Sequence, residues 1–416
     1  MNIAVNCFSP RQALVRIEDA ISVVQSHCPV VTETESVSLL HANTRILSRD
    51  ATACISRPAR DLSAMDGYAF SFDALGPNRE LRLSGHARAG HPYYGRVALG
   101  DCVAVATGAE MPDGCDTVAM LESCDRKRSH IAVRGVVRCG ANVRKSGEDF
   151  SQNAVLLSMG TRLGPQSLAV LASAGIVAAP VFRRLRVAVI SIGDELSAVR
   201  TKVGQRSTID VNRIMLLAAC EQLGFESTDL GIVPDERHAI GEAFARATSC
   251  HDAVISTAGT SVGREDHTRG AIKDCGGHLI VSGVAMKPGK PAALGKIDDC
   301  LCIALPGNPA AAFVTFTAVA IPILRHIAGE APKPDIPHIV RAGFAYKKKL
   351  GLREYLRVTL RQSREGVAEV AHCSKDKASL LSAFAEGSGF ISLSENVSRI
   401  EVGELVPYRS YVSYLR

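Results

Sequence analysis

The spacing of apolar residues changes from one stretch of this chain to the next, and those changes mark its regions. Between 184 and 329, short apolar runs at 186–190, 253–255 and 302–305 each stop in a loop of glycine and small polar residues. That is the signature of buried parallel strands. Helical spacing separates them at 213–223 and 236–248, so strands alternate with helices and the sheet is expected to be largely parallel. Near the N-terminus, Ser9-Pro10 gives a cap with proline at the first helical position, and Ala13, Ile17, Ala20, Ile21 and Val24 form an apolar stripe. From 80 to 149 helical spacing disappears. Short alternating segments at 81–83, 102–107, 117–121 and 131–137, split by glycines, predict a β-rich region. An Ala-rich helix follows Gly164-Pro165 over 166–174. After a proline-rich linker at 331–337, segments at 356–360, 367–371, 390–393 and 408–414 predict a small β-barrel.

Loops at the carboxyl ends of parallel strands converge on one crevice. In this chain the convergence gathers Gly193-Asp194-Glu195, the stretch from Thr257 to Asp266, Lys287-Pro288-Gly289-Lys290-Pro291 and Pro306-Gly307-Asn308-Pro309. Exposed backbone N–H groups and two lysines there suit an anion such as phosphate. Upstream, an arginine- and proline-containing loop leads to Ser63-Ala64-Met65-Asp66-Gly67. By spacing alone, Asp66 fits equally a site residue or the cap of a turn before Gly67. Asp235 likewise fits a ligand or a helix cap before Glu236.

Composition narrows the partners. The 416 residues carry a net charge of +6 that is not clustered, no Trp and 5% aromatics, which leaves little for stacking on single-stranded nucleic acid. No apolar run approaches membrane length, and the first residues lack the layout of a signal peptide. These readings place the protein in the cytoplasm, with no nucleic acid and no membrane as partner. The 13 cysteines are scattered without a C-x-x-C pair, so reduced, mostly buried thiols are expected. Cys300 and Cys302 would share one strand face.

Several motifs in order resemble one family. They are Ser63-Ala64-Met65-Asp66-Gly67-Tyr68-Ala69, Thr107-Gly108-Ala109 with Pro112 and Asp116-Thr117-Val118, the segment from Gly140 to Asp149, and Gly193-Asp194-Glu195-Leu196. Gly231-Ile232-Val233-Pro234-Asp235, Ser261-Val262-Gly263, the run from Lys287 to Pro291 and that from Leu305 to Pro309 complete the set. The sequence resembles the molybdopterin molybdenumtransferase family, bacterial MoeA and the E domains of gephyrin and its plant relatives, over essentially the whole chain. The resemblance implies a multidomain α/β plus β protein. It would comprise a helical linking domain (10–52 and 151–183), an inserted β-rich domain (53–150), a Rossmann-like three-layer α/β/α molybdopterin-binding domain (184–329) and a C-terminal β-barrel (330–416). It also implies insertion of molybdenum from molybdate into the dithiolene of adenylylated molybdopterin, with Mg²⁺ assisting and AMP released. The implied assembly is a homodimer whose cleft is shared between subunits, served by a MogA-like molybdopterin adenylyltransferase as transient partner. The alternatives are adenylyltransferase activity itself, usually carried by a lone α/β domain, and a non-enzymatic scaffold of the gephyrin type.

Carried onto this chain, the resemblance names Asp66, Thr107, Arg144, Glu195, Asp235, Asp266, Lys287 and Lys290 as catalytic. Asp66, Glu195, Asp235 and Asp266 supply the hard oxygens that Mg²⁺ prefers. Thr257, Gly259, Thr260, Ser261, Gly263, Asp210, Asn212, Pro291, Pro306, Gly307, Asn308, Pro309, Arg353 and Ser379 would bind the pterin nucleotide or molybdate. The chain departs from the family pattern at Ile192, Val211, Ala258, Gly283, Ala310-Ala311, Leu352 and Ala378. These departures touch ligand loops and leave every carboxylate in place.

Overall fold

A computed structural model describes residues 14–198, 208–258, 267–373 and 381–415. The chain forms two compact units, one from residues 36–43 and 49–180, the other from residues up to 35, 44–48 and from 181 onward.

The first unit is built on a six-stranded sheet in the order Thr117–Met120, Gly67–Phe70, Asp101–Val105, Glu80–Ala87, His130–Val133, Cys124–Lys127. Alternation along the strands buries both faces. Tyr68, Phe70, Leu81, Cys102 and Ile131 pack on one side, and Ala69, Ala87, Val103, Val105 and Val118 on the other. The helix begins at Pro165, one residue after its Gly164 cap, and runs to Ser173.

In the second unit six strands form the order Glu226–Val233, Arg186–Ile192, Ala253–Thr257, Cys300–Leu305, Ala293–Ile297, His278–Ser282. The first four are parallel, Ala293–Ile297 runs antiparallel to them, and His278–Ser282 pairs antiparallel with it and so regains the direction of the first four. Val187, Val189, Ile255, Leu301 and Ile303 face helices Ile17–His27, Asn212–Gln222 and the long helix from Pro309. Ala188, Ile190, Val254, Cys300 and Cys302 face helices Arg237–Thr248 and His267–Asp274. Apolar side chains on both strand faces therefore produce a three-layer α/β/α sandwich. Cys300 and Cys302 do share a face, and burial pushes the Cys302 thiol up to about 12. The twelve cysteines among the described residues are all free thiols.

The expectation that no apolar run reaches membrane length is corrected. Pro309–Ile327 forms one helix of 19 residues with mean hydropathy 1.6, long and apolar enough to cross a membrane by length and composition, and it lies mostly buried in the core. Pro322 lies inside this run, where proline ordinarily breaks a helix. The structure accommodates it by a π turn at Phe316–Ala320 just before it. The first helix is also shorter than its stripe. It starts at Ile17, because Val15 is held extended by a bridge to Val284, and Ser9-Pro10 lies outside the described residues.

The C-terminal strands His338–Ala342, Arg353–Gln362, Ala368–His372, Gly389–Leu393 and Leu405–Ser410 close on themselves, the second pairing with both the third and the fourth. Val340, Leu356, Val358, Val370, Ile391 and Tyr408 fill this barrel. The strand expected through 414 ends at Ser410, whose side chain accepts from the Ser413 N–H and starts a short helix, Tyr411–Tyr414.

Candidate active site

Strand register brings the predicted loops to one edge of the α/β sheet. Ile192 lies beside Val233, Ser191 beside Thr257, and Thr257 beside Leu305, so loops 193–195, 234–235, 258 and 306–308 leave the sheet side by side. The chain goes from strand Arg186–Ile192 to a neighbour on one flank, then to Ala253–Thr257 on the other. That reversal is the switch point where open α/β sheets bind ligands. At its floor Ser191 Oγ donates to Asp210 Oδ1 at 2.9 Å and lies 3.2 Å from Thr257 Oγ1. Asp210, expected on the ligand side, is 2% exposed and fully engaged: Arg213 Nε donates to its Oδ2 at 2.7 Å. It anchors the start of helix Asn212–Gln222.

Glu195 is exposed on its loop. The adjacent Asp194, which the sequence reading did not single out, accepts from the Asp235 N–H at 3.2 Å and ties the two carboxylate loops together. Helix Arg237–Thr248 takes Glu236 as its N-cap, so Asp235 is not the cap.

Asn308 Oδ1 accepts from Ala310 and Ala311 N–H at 3.0 and 3.2 Å and caps the helix that Pro309 opens, and Asn212 Nδ2 donates to the Gly307 carbonyl at 2.7 Å. Asn212 Oδ1 is buried with no hydrogen-bond partner among the described residues, an acceptor ready for a donor. Ala258 stands at φ 72°, in the left-handed region, and a Cβ placed on Gly307 would lie 3.1 Å from its methyl group. The left-handed region penalises a side chain, while glycine makes the unfolded chain looser. Ala258→Gly is therefore expected to stabilise the fold by roughly 0.5 kcal/mol. The check is a higher urea midpoint at unchanged slope; a lower midpoint contradicts strain at this position.

Lys287 and Lys290 stand on a tight turn. Gly289 sits at φ 118°, and a Cβ there would fall 2.4 Å from Thr315 Oγ1, so the turn requires glycine. Lys290 is exposed with no ion-pair partner among the described residues. Lys287 Nζ meets Glu354 Oε1 at 2.7 Å. Pro291 accepts from Arg269 Nη2 at 3.0 Å. Arg353 is occupied by Glu18 and by Glu395, the latter at 3.1 Å.

In the β-rich unit Asp66 Oδ1 accepts from the Thr107 N–H at 2.7 Å and from Thr107 Oγ1 at 2.9 Å. The partner is remote in sequence, so Asp66 is not a local turn cap. Those two donors, the backbone one foremost, hold the exposed Asp66 carboxyl below the usual carboxylate range. Gly67 behind it must be glycine, since a Cβ would fall 2.1 Å from the Ala119 carbonyl oxygen. Val143–Arg144 pairs with Leu62–Ser63, and Ala64 N–H donates to the Asn142 carbonyl at 2.8 Å. Asp66, Thr107 and Arg144 are thus carried on mutually bonded segments. Asp61, which the sequence reading passed over, braces them by accepting from Lys145 Nζ and Ser146 N–H at 2.8 Å each.

Among the described residues no group of three or more His, Cys, Asp or Glu side chains could hold a metal; of the expected set, Glu195 and Asp235 belong to one unit and Asp66 to the other. Asp266, Gly259, Thr260, Ser261, Gly263 and Ser379 lie outside the described residues.

A parallel sheet with a switch point, and two lysines in the segment that turns back at its carboxyl edge, defines a three-layer α/β domain, in a chain that also carries a β-rich unit and a barrel. Residues 15–175 match the "MoeA N-terminal region (domain I and II)", 188–326 the "Probable molybdopterin binding domain" and 340–410 the "MoeA C-terminal region (domain IV)". The chain is 33% identical over 395 residues to molybdopterin molybdenumtransferase of Haemophilus influenzae, covering 94% of this chain and 98% of that one. It is 29% identical over 384 residues to the enzyme of that name from Bacillus subtilis, covering 90% and 89%. A crystal structure of the molybdopterin biosynthesis MoeA protein from Pyrococcus horikoshii OT3 superposes with TM-score 0.83 at 26% identity, covering 96% of this chain and 100% of that one. The chain belongs to the MoeA family. It is a transferase of molybdenum cofactor biosynthesis that inserts molybdenum.

Proposed function

We propose that the pterin substrate arrives adenylylated and that molybdenum enters its dithiolene from molybdate as AMP leaves. The observation that carries this reading is the alignment of the strand ends at Ile192, Val233, Thr257 and Leu305, which sets anion-binding loops around one switch point. A pyrophosphate lies on the loop donors after Thr257, including Gly259, Thr260, Ser261 and Gly263. Pro306, Gly307, Asn308 and Pro309 form the adjoining wall, and the open Oδ1 of Asn212 takes an N–H of the pterin. Asp210 orders that wall through Arg213. Lys287 and Lys290 are the point charges for oxyanions, and Pro291, Arg353 and Ser379 are the further ligand residues.

Mg²⁺ is the assisting cation. Asp66 suits it, because Oδ1 is held by Thr107 and Oδ2 accepts nothing among the described residues; Glu195, Asp235 and Asp266 are the other oxygen donors. When bound, the ion offsets charge on the phosphate that departs. Asp66 stays ionised, Thr107 fixes its direction, and Arg144 steadies the developing anion. We further propose four domains with the boundaries given above, a homodimer with shared clefts, a MogA-like adenylyltransferase as donor of substrate, and a cytoplasmic location without nucleic-acid or membrane partners.

Each lysine supplies a charge-assisted contact, so Lys287→Ala and Lys290→Ala should each weaken binding of molybdate or of the adenylylated pterin by roughly 1.5–3 kcal/mol. Titration calorimetry reads this. If both variants bind both ligands as the parent does, the anion site lies elsewhere.

A further inference from the structure

Glu354 is a carboxylate where a barrel core residue belongs. It is 4% exposed and falls on the same strand register as the buried Leu356 and Val358. Its Oε1 accepts from the Tyr346 hydroxyl at 2.7 Å and pairs with Lys287 Nζ at 2.7 Å. The backbone joins the same groups, since Met286–Lys287 runs parallel to Arg353–Glu354 and Arg353 N–H donates to the Ala285 carbonyl at 2.9 Å. The nearby Lys348 ammonium is spent on the carbonyls of Ser394 and Val397, at 2.8 Å each. Lys287 is therefore the cation that Glu354 holds. A carboxylate buried in a barrel core is a poor way to stabilise it, since an apolar residue of similar size does as well or better. Its position beside the Lys-Pro-Gly-Lys turn gives it another use. The Lys287 side chain is 61% exposed, and an ammonium that donates one N–H to Glu354 keeps two for a ligand.

We propose that Glu354 is a positioning residue for the molybdate end of the site, acting through Lys287 and resting on the reading of Lys287 as an anion ligand. A free lysine side chain loses rotamer freedom when an anion captures it. Glu354 removes that loss in advance, as outer partners of metal ligands do for the groups they orient.

The test compares full-length parent, Glu354→Gln, Glu354→Asp, Lys287→Ala and the double variant Glu354→Gln/Lys287→Ala. Glutamine keeps the acceptor for Tyr346 and drops the charge. Aspartate keeps the charge and withdraws it by one methylene, which guards against a glutamine variant that fails to fold. The readouts are Kd for sodium molybdate by calorimetry and the split of KM against kcat for molybdate in cofactor formation. Glu354→Gln is expected to raise Kd and KM about tenfold, the low end for an outer partner, with kcat at saturating molybdate nearly unchanged. Glu354→Asp should show the same rise, smaller. The double variant should be no worse than Lys287→Ala alone, because the two residues act as one unit. If Lys287→Ala weakens molybdate and neither Glu354 variant does, or if they tighten it, Glu354 is only structural or is a competing charge, and the proposal is overturned. If Lys287→Ala itself changes nothing, the reading of Lys287 fails instead.

Discussion

Asp66→Asn should give a folded protein that binds the adenylylated pterin and releases almost no AMP. Asparagine keeps the oxygen that accepts from Thr107 N–H and Oγ1, so the loop stays closed while the negative charge disappears. Loss of one preorganised charge interaction at a reacting phosphate costs on the order of 10²–10³-fold in turnover. The same drop is expected for Asp266→Asn, whose carboxylate has the same proposed role. The pH dependence has a definite sign. Because the Thr107 donors lower the Asp66 pKa in the folded protein, the carboxyl stays charged until pH falls below its ordinary range. The ratio of parent to Asp66→Asn activity should thus be flat across neutral and mildly acidic pH and close only in strong acid. Single-turnover release of AMP with Mg²⁺ reads both effects, and normal Mg²⁺-dependent turnover in both variants would remove Asp66 and Asp266 from the site.

The second large effect is a recovery of activity. With shared clefts, each site takes Asp66 from one subunit and Lys290 from the other. A dimer of one Asp66→Asn chain and one Lys290→Ala chain then carries both lesions in one cleft and leaves the other native. Random exchange of equal amounts makes about half the dimers mixed, each with one good site of two, so activity should return to about a quarter of the parent value. Cofactor formation is measured after the two purified variants are unfolded and refolded together, with each refolded alone as control. A cleft built within one subunit yields no recovery, since every cleft would carry a lesion; absence of activity above the controls, with mixed dimers verified by mass, rejects sharing.

How far the sequence reaches depends on the range of the interaction. Three strands of the α/β sheet, Arg186–Ile192, Ala253–Thr257 and Cys300–Leu305, were legible because they are buried on both faces and leave unbroken apolar runs, whereas Glu226–Val233 and His278–Ser282 keep polar or half-exposed positions and escaped. The convergence of their loops followed from the alternation of strand and helix. Strand His338–Ala342 escaped because its burial alternates with exposed His338 and Arg341 directly after a proline-rich linker. The long helix from Pro309 was obscured by Pro322. At the site, Asp66 and the two lysines stood out by motif, whereas their supports did not. Asp61 reaches Lys145 across 84 positions, and Lys287 meets Glu354 only because a parallel bridge joins the turn to the barrel. A visible signal for Glu354 did exist, a lone charge in the inward register of Arg353–Gln362. Asp210 and Arg353 were named by the family resemblance, but their ion pairs with Arg213 and Glu395 appear only in three dimensions.

The central claim, insertion of molybdenum into an adenylylated pterin with release of AMP, is tested most directly by incubating the purified protein with adenylylated molybdopterin, Mg²⁺ and molybdate, then measuring AMP and the reconstitution of a cofactor-free molybdoenzyme. The account predicts AMP and active cofactor in equal amounts, both dependent on molybdate. AMP without active cofactor, or neither product from a protein that binds both ligands, would contradict it.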